Sequence, residues 1–91
     1  MQVYIVSYDL DSPGPQNYDR LIARLKQLGA TRILFSQWML KFVSNAASLE
    51  HDLMQYIDPA TDSFLVMPLT RDVAWNKLMI SDDEFRTWLN G

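Results

Sequence analysis

The segment "TRILFSQWMLKFV", residues 31–43, gives the clearest indication of the fold. Its β-branched and aromatic residues favour strand over helix, and it is longer than one typical strand. We therefore predict two antiparallel strands, 31–36 and 38–43, that turn near Ser36–Gln37. No glycine or Asn-Gly pair marks the turn, so one long bent or bulged strand is the alternative.

Two further segments, on either side of this one, have the pattern of strands. Residues 2–8, "QVYIVSY", and residues 62–69, "DSFLVMPL", are short and rich in strand-forming residues. Because successive side chains alternate between the faces of a sheet, both strands are predicted to be apolar on both faces. Such strands are typical of a sheet that is covered on both sides.

Helical patterns separate the strands. Apolar residues recur at helical spacing over 18–28, and Gly29 stands where a helix commonly ends in glycine. A second helix is predicted to begin after Ser44 or Asn45 as its cap and to close at Asp58–Pro59. The element order is βαββαβ, which predicts an α+β, ferredoxin-like fold with an antiparallel sheet.

The remaining residues extend this core. We interpret residues 1–91 as one domain, with a core over 1–69 and a C-terminal extension over 70–91, because no linker or change of composition divides the chain. A short strand is predicted over 77–80. The segment "SDDE" that follows has capping-box spacing, so a helix is predicted over 82–90.

The composition excludes several kinds of site. The chain has no cysteine, which excludes disulfides, zinc sites with cysteine ligands and thiol catalysis. His51 is the only histidine, so a zinc site is not expected, and no glycine-rich phosphate loop is present. The N-terminus lacks a signal-peptide pattern, and no apolar stretch approaches the roughly 18–20 residues that span a bilayer. We therefore expect a cytoplasmic protein without membrane association.

The charge is unevenly distributed along the chain. The net charge is −3, with five basic and three acidic side chains over 1–45, against three basic and eight acidic over 46–91. An acidic protein does not coat nucleic acid by charge alone. Arg20 and Arg24 on the first predicted helix offer a local patch for phosphates. On the residues alone, a solvated helix face is the favoured interpretation of this patch.

The apolar second face of the predicted sheet requires a cover. Both helices of this fold lie on one face, yet Trp38 and Leu40 alternate with Met39 and Val43, which are also apolar. A homodimer joined sheet to sheet or edge to edge would bury the second face. The alternative is a monomer whose C-terminal helix folds back over the sheet.

Two aspartates follow the first strand. Asp9 and Asp11 are one residue apart, and in extended geometry they point the same way. Mg²⁺ takes one or two protein carboxylates and keeps several waters, and a symmetric dimer would bring two copies of Asp9 together. On the residues alone, a turn and helix cap accounts for both aspartates. The metal site is the alternative.

The order of these motifs resembles that of a known family. The strand ending in "YDL" (8–10), the helix "RLIARLKQLGA" (20–30), the hairpin "TRILFSQWMLK" (31–41) and the segment "IDPATDSFLVMPL" (57–69) are similar to the small CRISPR-associated Cas2 family. They are also similar to its relatives in the virulence-associated D and Cas2-like toxin groups. The resemblance covers about residues 1–69. The residues that match the family motifs are Tyr8–Asp9, then Arg32, Ser36 and Trp38 in the hairpin, then Asp58–Pro59 and Asp62.

The resemblance implies a ferredoxin-like homodimer, in which the last strand or tail of each subunit adds to the sheet of the other. It also implies that Asp9, paired across the two-fold axis, is the catalytic and metal-binding residue. Asp9 would hold Mg²⁺ or Mn²⁺ for hydrolysis of RNA or DNA phosphodiesters, with Asp11 in support. The candidate nucleic-acid contacts are Arg20, Arg24, Arg32 and Ser36, and no other cofactor is expected.

Two alternatives to a metal-dependent endonuclease remain open. Some members of the family resembled serve as a non-catalytic bridge, so a dimeric adaptor or toxin-like module that binds nucleic acid or a protein partner is the second hypothesis. A small-ligand or regulatory domain without chemistry is the third. Cleavage that depends on a divalent metal and on Asp9 would distinguish the first hypothesis from the others.

Overall fold

The computed structural model describes residues 1–10 and 15–91. Four strands and three α-helices are formed in this part of the chain, and a short 3-10 helix, Met54–Tyr56, extends the second α-helix. In chain order the elements are β1 (Gln2–Asp9), α1 (Pro15–Gln27), β2 (Thr31–Leu34), β3 (Gln37–Phe42), α2 (Ala46–Leu53), β4 (Ser63–Pro68) and α3 (Asp82–Leu89).

The four strands form one antiparallel sheet in the order β2-β3-β1-β4. The central strand β1 pairs Val6 with Trp38 of β3 on one side and with Val66 of β4 on the other. This order places each crossover helix on the same face of the sheet. The predicted α+β, ferredoxin-like fold is confirmed.

The hairpin between β2 and β3 forms where it was predicted, although its first strand is shorter. β2 ends at Leu34, Phe35 and Ser36 make the turn, and β3 begins at Gln37. The pairing of β2 with β3 shifts register between Arg32 and Leu34. A register shift of this kind bends the strand and increases its local twist.

The helix-covered face holds the larger core. Leu21 and Leu25 of α1 and Leu49 and Leu53 of α2 are fully buried against alternate residues of β1 and β3. Gly29 ends α1 as predicted, with a φ of +79° that an L side chain rarely adopts. The residues buried in this core are Tyr4, Val6, Tyr8, Leu10, Leu21, Leu25, Trp38, Leu40, Leu49, Leu53 and Ile57.

The C-terminal extension covers much of the opposite face. Phe85 of α3 is 2% exposed and packs in a second cluster with Val3, Ile5, Ile33 and Met39 of the sheet. The helix begins at the predicted position, where the Ser81 hydroxyl accepts a hydrogen bond of 3.1 Å from the Glu84 backbone N–H. The chain therefore folds its own tail over the second face.

The short strand predicted over residues 77–80 is not formed. This segment makes one backbone hydrogen bond to the edge of the sheet, from Met79 N–H to the Ile33 carbonyl at 2.9 Å. Lys77 has a φ of +54°, which is left-handed rather than extended backbone. That turn at Lys77 prevents the segment from continuing along β2.

Apolar side chains next to the tail remain uncovered. Leu65 and Met67 of β4 are 53% and 40% exposed, and Leu34 at the end of β2 is 40% exposed. The homodimer remains a prediction, since the tail accounts for only part of the face that a partner was expected to cover. Among the described helices, none has the length and apolarity that crossing a membrane requires.

Candidate functional site

Asp9 is the last residue of β1 and lies between the start of β4 and the turn of the β2–β3 hairpin. On one side its register partner is Ser63, the first residue of β4. On the other side the backbone N–H of Tyr8 donates a 3.1 Å hydrogen bond to the Ser36 carbonyl in the hairpin turn. Asp9 is exposed and therefore stands at an edge where the chain leaves the sheet.

The alternation of β1 separates Asp9 from the helix-covered core. Tyr8 is buried on the helix side, where its hydroxyl accepts a 3.0 Å hydrogen bond from Trp38 Nε1. Ser7 and Asp9 occupy the alternate positions, which belong to the second face. The Ser7 hydroxyl accepts a 3.2 Å hydrogen bond from Gln37 Nε2. The second face is thus polar at this end and apolar where the tail covers it.

A shallow recess of about 230 Å³ surrounds the end of β1, lined by Ser7, Tyr8, Asp9, Ser63, Phe64 and Leu65. On the second face its polar side chains are the hydroxyls of Ser7 and Ser63 and the carboxylate of Asp9. Within the described residues, no hydrogen bond or ion pair engages the Asp9 carboxylate. An exposed carboxylate of this kind can accept a cation or a hydrogen-bond donor from outside the subunit.

The described residues of a single chain supply an incomplete set of ligands for a divalent metal ion at this site. Over residues 1–10 and 15–91, no group of three or more acidic or histidine side chains is placed to hold a metal ion. Asp9 supplies an oxygen ligand of the type that Mg²⁺ and Mn²⁺ accept. Asp11, its predicted support, lies outside the described residues. A metal at Asp9 would need further ligands from water or from a second copy of the chain.

Arg24, a predicted phosphate contact, is engaged between the helices. Its Nε and Nη2 donate hydrogen bonds of 2.8 and 2.6 Å to the two carboxylate oxygens of Asp52 on α2. These hydrogen bonds, with the positive charge of Arg24, hold the pKa of Asp52 below its usual value. The pair joins α1 to α2, so the structure gives Arg24 an intramolecular partner that sequence reasoning did not predict.

Arg20 lies on the exposed side of the same helix. Its Nη2 donates a long hydrogen bond of 3.4 Å to the Gln55 carbonyl, and its guanidinium carbon is 5.9 Å from the centre of the Tyr56 ring. These contacts are to the 3-10 extension of α2. Arg20 and Arg24 therefore face the helical layer, while Asp9 belongs to the second face of the sheet.

Arg32 and Ser36 belong to the hairpin, which reaches the end of β1. The guanidinium carbon of Arg32 is 4.8 Å from the centre of the Trp38 ring and 5.7 Å from that of Phe35. Ser36 is joined to β1 one residue before Asp9 by the bond from Tyr8. Of the four predicted nucleic-acid contacts, Ser36 is the one whose backbone is hydrogen-bonded to β1, at Tyr8, whereas Arg32 is the register partner of Trp38 and lies on the helix-covered face.

Sequence reasoning did not single out Phe35. This residue is 76% exposed in the turn between β2 and β3, although an aromatic side chain in a strand-rich segment is more often buried. The available signal was its place one residue before the predicted turn. The alternation of apolar and polar residues could not show whether Phe35 would lie in the strand or in the turn.

Comparison with known proteins gives a matching family and solved structures of similar fold. The sequence model of the family described as CRISPR associated protein Cas2 matches residues 1–77. The crystal structure of a hypothetical protein from Thermus thermophilus superposes with a TM-score of 0.67 at 19% sequence identity. The superposition covers 87% of this chain and 95% of that protein. At this identity the structural likeness supports the fold alone.

Proposed function

This chain belongs to the CRISPR associated protein Cas2 family, and from that membership we propose that it is a homodimeric, metal-dependent endonuclease of RNA or DNA. One observation supports the proposal above the others. Asp9 presents a carboxylate without a described partner at the end of the central strand, beside the hairpin turn. An aspartate in an intramolecular ion pair would have to give up that partner before it could bind a metal ion.

The proposed dimer would complete the site. Each subunit offers the carboxylate of Asp9, and Mg²⁺ is commonly held by one or two carboxylates together with water and substrate oxygens. Leu65 and Met67 lie on the same sheet as Asp9 and are partly exposed. A two-fold contact that buries these side chains would bring the two copies of Asp9 toward each other.

The residues of this chain would bind and orient the phosphodiester. Asp9 would hold the metal ion, and the Ser36 hydroxyl and the Arg32 guanidinium would contact phosphate oxygens. The metal would supply an activated water and stabilise negative charge on the phosphate. Arg20 would be a further contact for the phosphate backbone of the nucleic acid. Arg24 would contribute only in competition with its ion pair to Asp52.

The test compares cleavage by the wild type with cleavage by Asp9→Asn. Single-stranded RNA, single-stranded DNA and duplex DNA are incubated with Mg²⁺, with Mn²⁺, or with a chelator. We expect cleavage only with metal and its loss in Asp9→Asn. Asp72→Asn, which changes an exposed aspartate in the tail, is the matched control and should cleave as the wild type does. Chelator-resistant cleavage, or equal cleavage by Asp9→Asn, would contradict the metal site.

The second candidate is a non-catalytic dimeric adaptor for nucleic acid or a protein partner. It is favoured by the acidic net charge of the chain, −3, and by the site, where Asp9 supplies the one carboxylate among the described lining residues. Retained binding of nucleic acid without cleavage under any metal would select this candidate. A mass by light scattering near the 10.6 kDa of one chain would contradict the dimer in both.

A further inference from the structure

The tip of the hairpin exposes an aromatic ring beside a cation. Phe35 is 76% exposed and belongs to neither buried cluster. A single exposed apolar residue is ordinary on a protein surface, so Phe35 by itself indicates nothing. Its neighbour distinguishes it, because the guanidinium of Arg32 lies 5.7 Å from the centre of its ring.

Arg32 is held by aromatic rings rather than by an anion. Its guanidinium carbon is also 4.8 Å from the centre of the Trp38 ring, within the range of a favourable cation–π contact. In the described part of the chain, no carboxylate forms a salt bridge with Arg32, and its Nε is buried without an acceptor. The side chain is thus positioned by stacking, and its charge is not neutralised by a described residue.

The orientation of this arginine is fixed by neighbouring groups. Trp38 is 4% exposed and donates its Nε1–H to the Tyr8 hydroxyl at 3.0 Å, which fixes the indole on which the guanidinium rests. Arg32 and Trp38 are also register partners across β2 and β3. A cation positioned in advance in this way loses less side-chain entropy when it binds an anion.

We propose that the hairpin tip binds one unpaired nucleotide of a single-stranded nucleic acid. The base stacks on the exposed ring of Phe35, and the adjoining phosphate is bound by Arg32. A base inside a duplex is already stacked on both sides, so it cannot use this ring without being displaced. Phenylalanine offers no hydrogen bond to a base edge. The site therefore distinguishes single strands from duplex and does not distinguish one base sequence from another.

The identity of the ligand rests on the proposed function, which makes nucleic acid the expected partner. The hairpin turn is bonded to β1 one residue before Asp9, through Tyr8 N–H and the Ser36 carbonyl. The hairpin turn that carries Phe35 therefore adjoins the end of β1, whereas Arg32, the register partner of Trp38, lies on the helix-covered face and Asp9 on the other. Stacking and cleavage use different side chains, and each can be measured without the other.

Fluorescence anisotropy in a chelating buffer measures binding without cleavage. The probes are a labelled single-stranded RNA, the same sequence as single-stranded DNA, and a blunt DNA duplex. We expect the wild type to bind single strands more tightly than the duplex. Phe35→Ala should weaken single-strand binding by about 10- to 100-fold, which is the usual effect of removing one stacking platform. Phe35→Trp should retain or improve it.

The matched control is Val43→Ala, since Val43 is an equally exposed apolar residue, 82% exposed, just beyond the end of β3. This variant should bind as the wild type does. Arg32→Gln should weaken binding and reduce the slope of log K against log salt by about 0.7, the value for one contact to a single-strand phosphate. Unchanged thermal denaturation of Phe35→Ala would show that its loss of binding is not a loss of folding.

The outcomes separate this inference from the proposed function. Equal binding by Phe35→Ala and wild type, or equal affinity for single strands and duplex, would overturn the stacking site and leave cleavage at Asp9 untouched. A loss of binding in Phe35→Ala, together with unchanged cleavage in Asp9→Asn, would support the stacking site and refute the metal site. Absence of any nucleic-acid binding by the wild type in the chelating buffer would overturn the stacking site, whereas cleavage with Mg²⁺ or Mn²⁺ tests the proposed function separately.

Discussion

Replacement of Phe85 by alanine tests whether the C-terminal tail is an integral part of the fold. Phe85 is 2% exposed, and its ring centre lies 4.6 Å from that of Trp75 in a tilted arrangement. It belongs to the buried cluster on the second face of the sheet, with Val3 and Ile5 of β1. Phe85→Ala would leave a cavity between α3 and the sheet.

The magnitude follows from burial. Removing a fully buried phenylalanine typically lowers the free energy of unfolding by about 3–5 kcal/mol, and the lost aromatic pair is included in that range. For a domain of this length, each 1 kcal/mol lowers Tm by about 4–8 °C. We therefore expect a decrease in Tm of more than about 12 °C. Such a loss is a large part of the total stability of a small domain.

The free energy of unfolding is measured by urea denaturation and Tm by thermal denaturation, both followed by tryptophan fluorescence. Thr87→Ala is the control on the same helix, because Thr87 is exposed and surface substitutions change stability by only about 0.5 kcal/mol. A loss below about 1 kcal/mol for Phe85→Ala would refute the reasoning. It would mean that the tail undocks at little cost and does not cover the second face.

Three further predictions concern single interactions. The ion pair with Arg24 lowers the pKa of Asp52 in the folded chain. The stabilisation by this pair is therefore fully present above the pKa that Asp52 has in the unfolded chain, and it is lost as pH falls through the folded-state pKa. Asp52→Asn should therefore lower Tm at neutral pH, and the difference from wild type should shrink below about pH 4; a constant difference would argue against the pair. Gly29 has a φ of +79°, and a Cβ at this position would meet no atom within 4 Å, so Gly29→Ala should cost about 1 kcal/mol in urea denaturation from backbone strain alone, and Gly29→Asn less. The Asn45 side chain accepts a 2.8 Å hydrogen bond from Ser48 N–H at the start of α2; Asn45→Ala should cost about 1 kcal/mol in the same assay, whereas Asn45→Asp should not.

The order of elements was predictable because it depends on local patterns. Each of these patterns determines secondary structure through residues that are close in sequence. They are the strand-forming residues of 31–43, the helical spacing over 18–28 and the glycine at 29. The capping box at Ser81 is local in the same way, and α3 begins where it was predicted. The failed strand over 77–80 shows the limit, since composition favoured a strand but Lys77 adopts a left-handed turn.

The position of Asp9 at a strand end was likewise visible in the chain. Its surroundings were not, because they depend on strand register. Ser63 is opposite Asp9 only because β4 pairs with β1 in that alignment, and Ser36 lies beside Tyr8 only because β3 pairs with β1 with Gln37 opposite Ser7. The contacts of Arg32 with the rings of Trp38 and Phe35 depend on the same cross-strand geometry.

From the residues alone, the sheet had to be apolar on both faces, so something had to cover the second one. The sequence did not determine which segment would cover it, because the hydrophobic effect is non-directional. A second subunit and the chain's own tail would stabilise the sheet equally well by burying the same apolar area. The folded chain resolves this for the part of the face beneath Phe85, where α3 packs on the sheet. The pairing of Arg24 with Asp52 was equally beyond the sequence, since 28 residues separate the two and only the packing of α1 beside α2 brings them together.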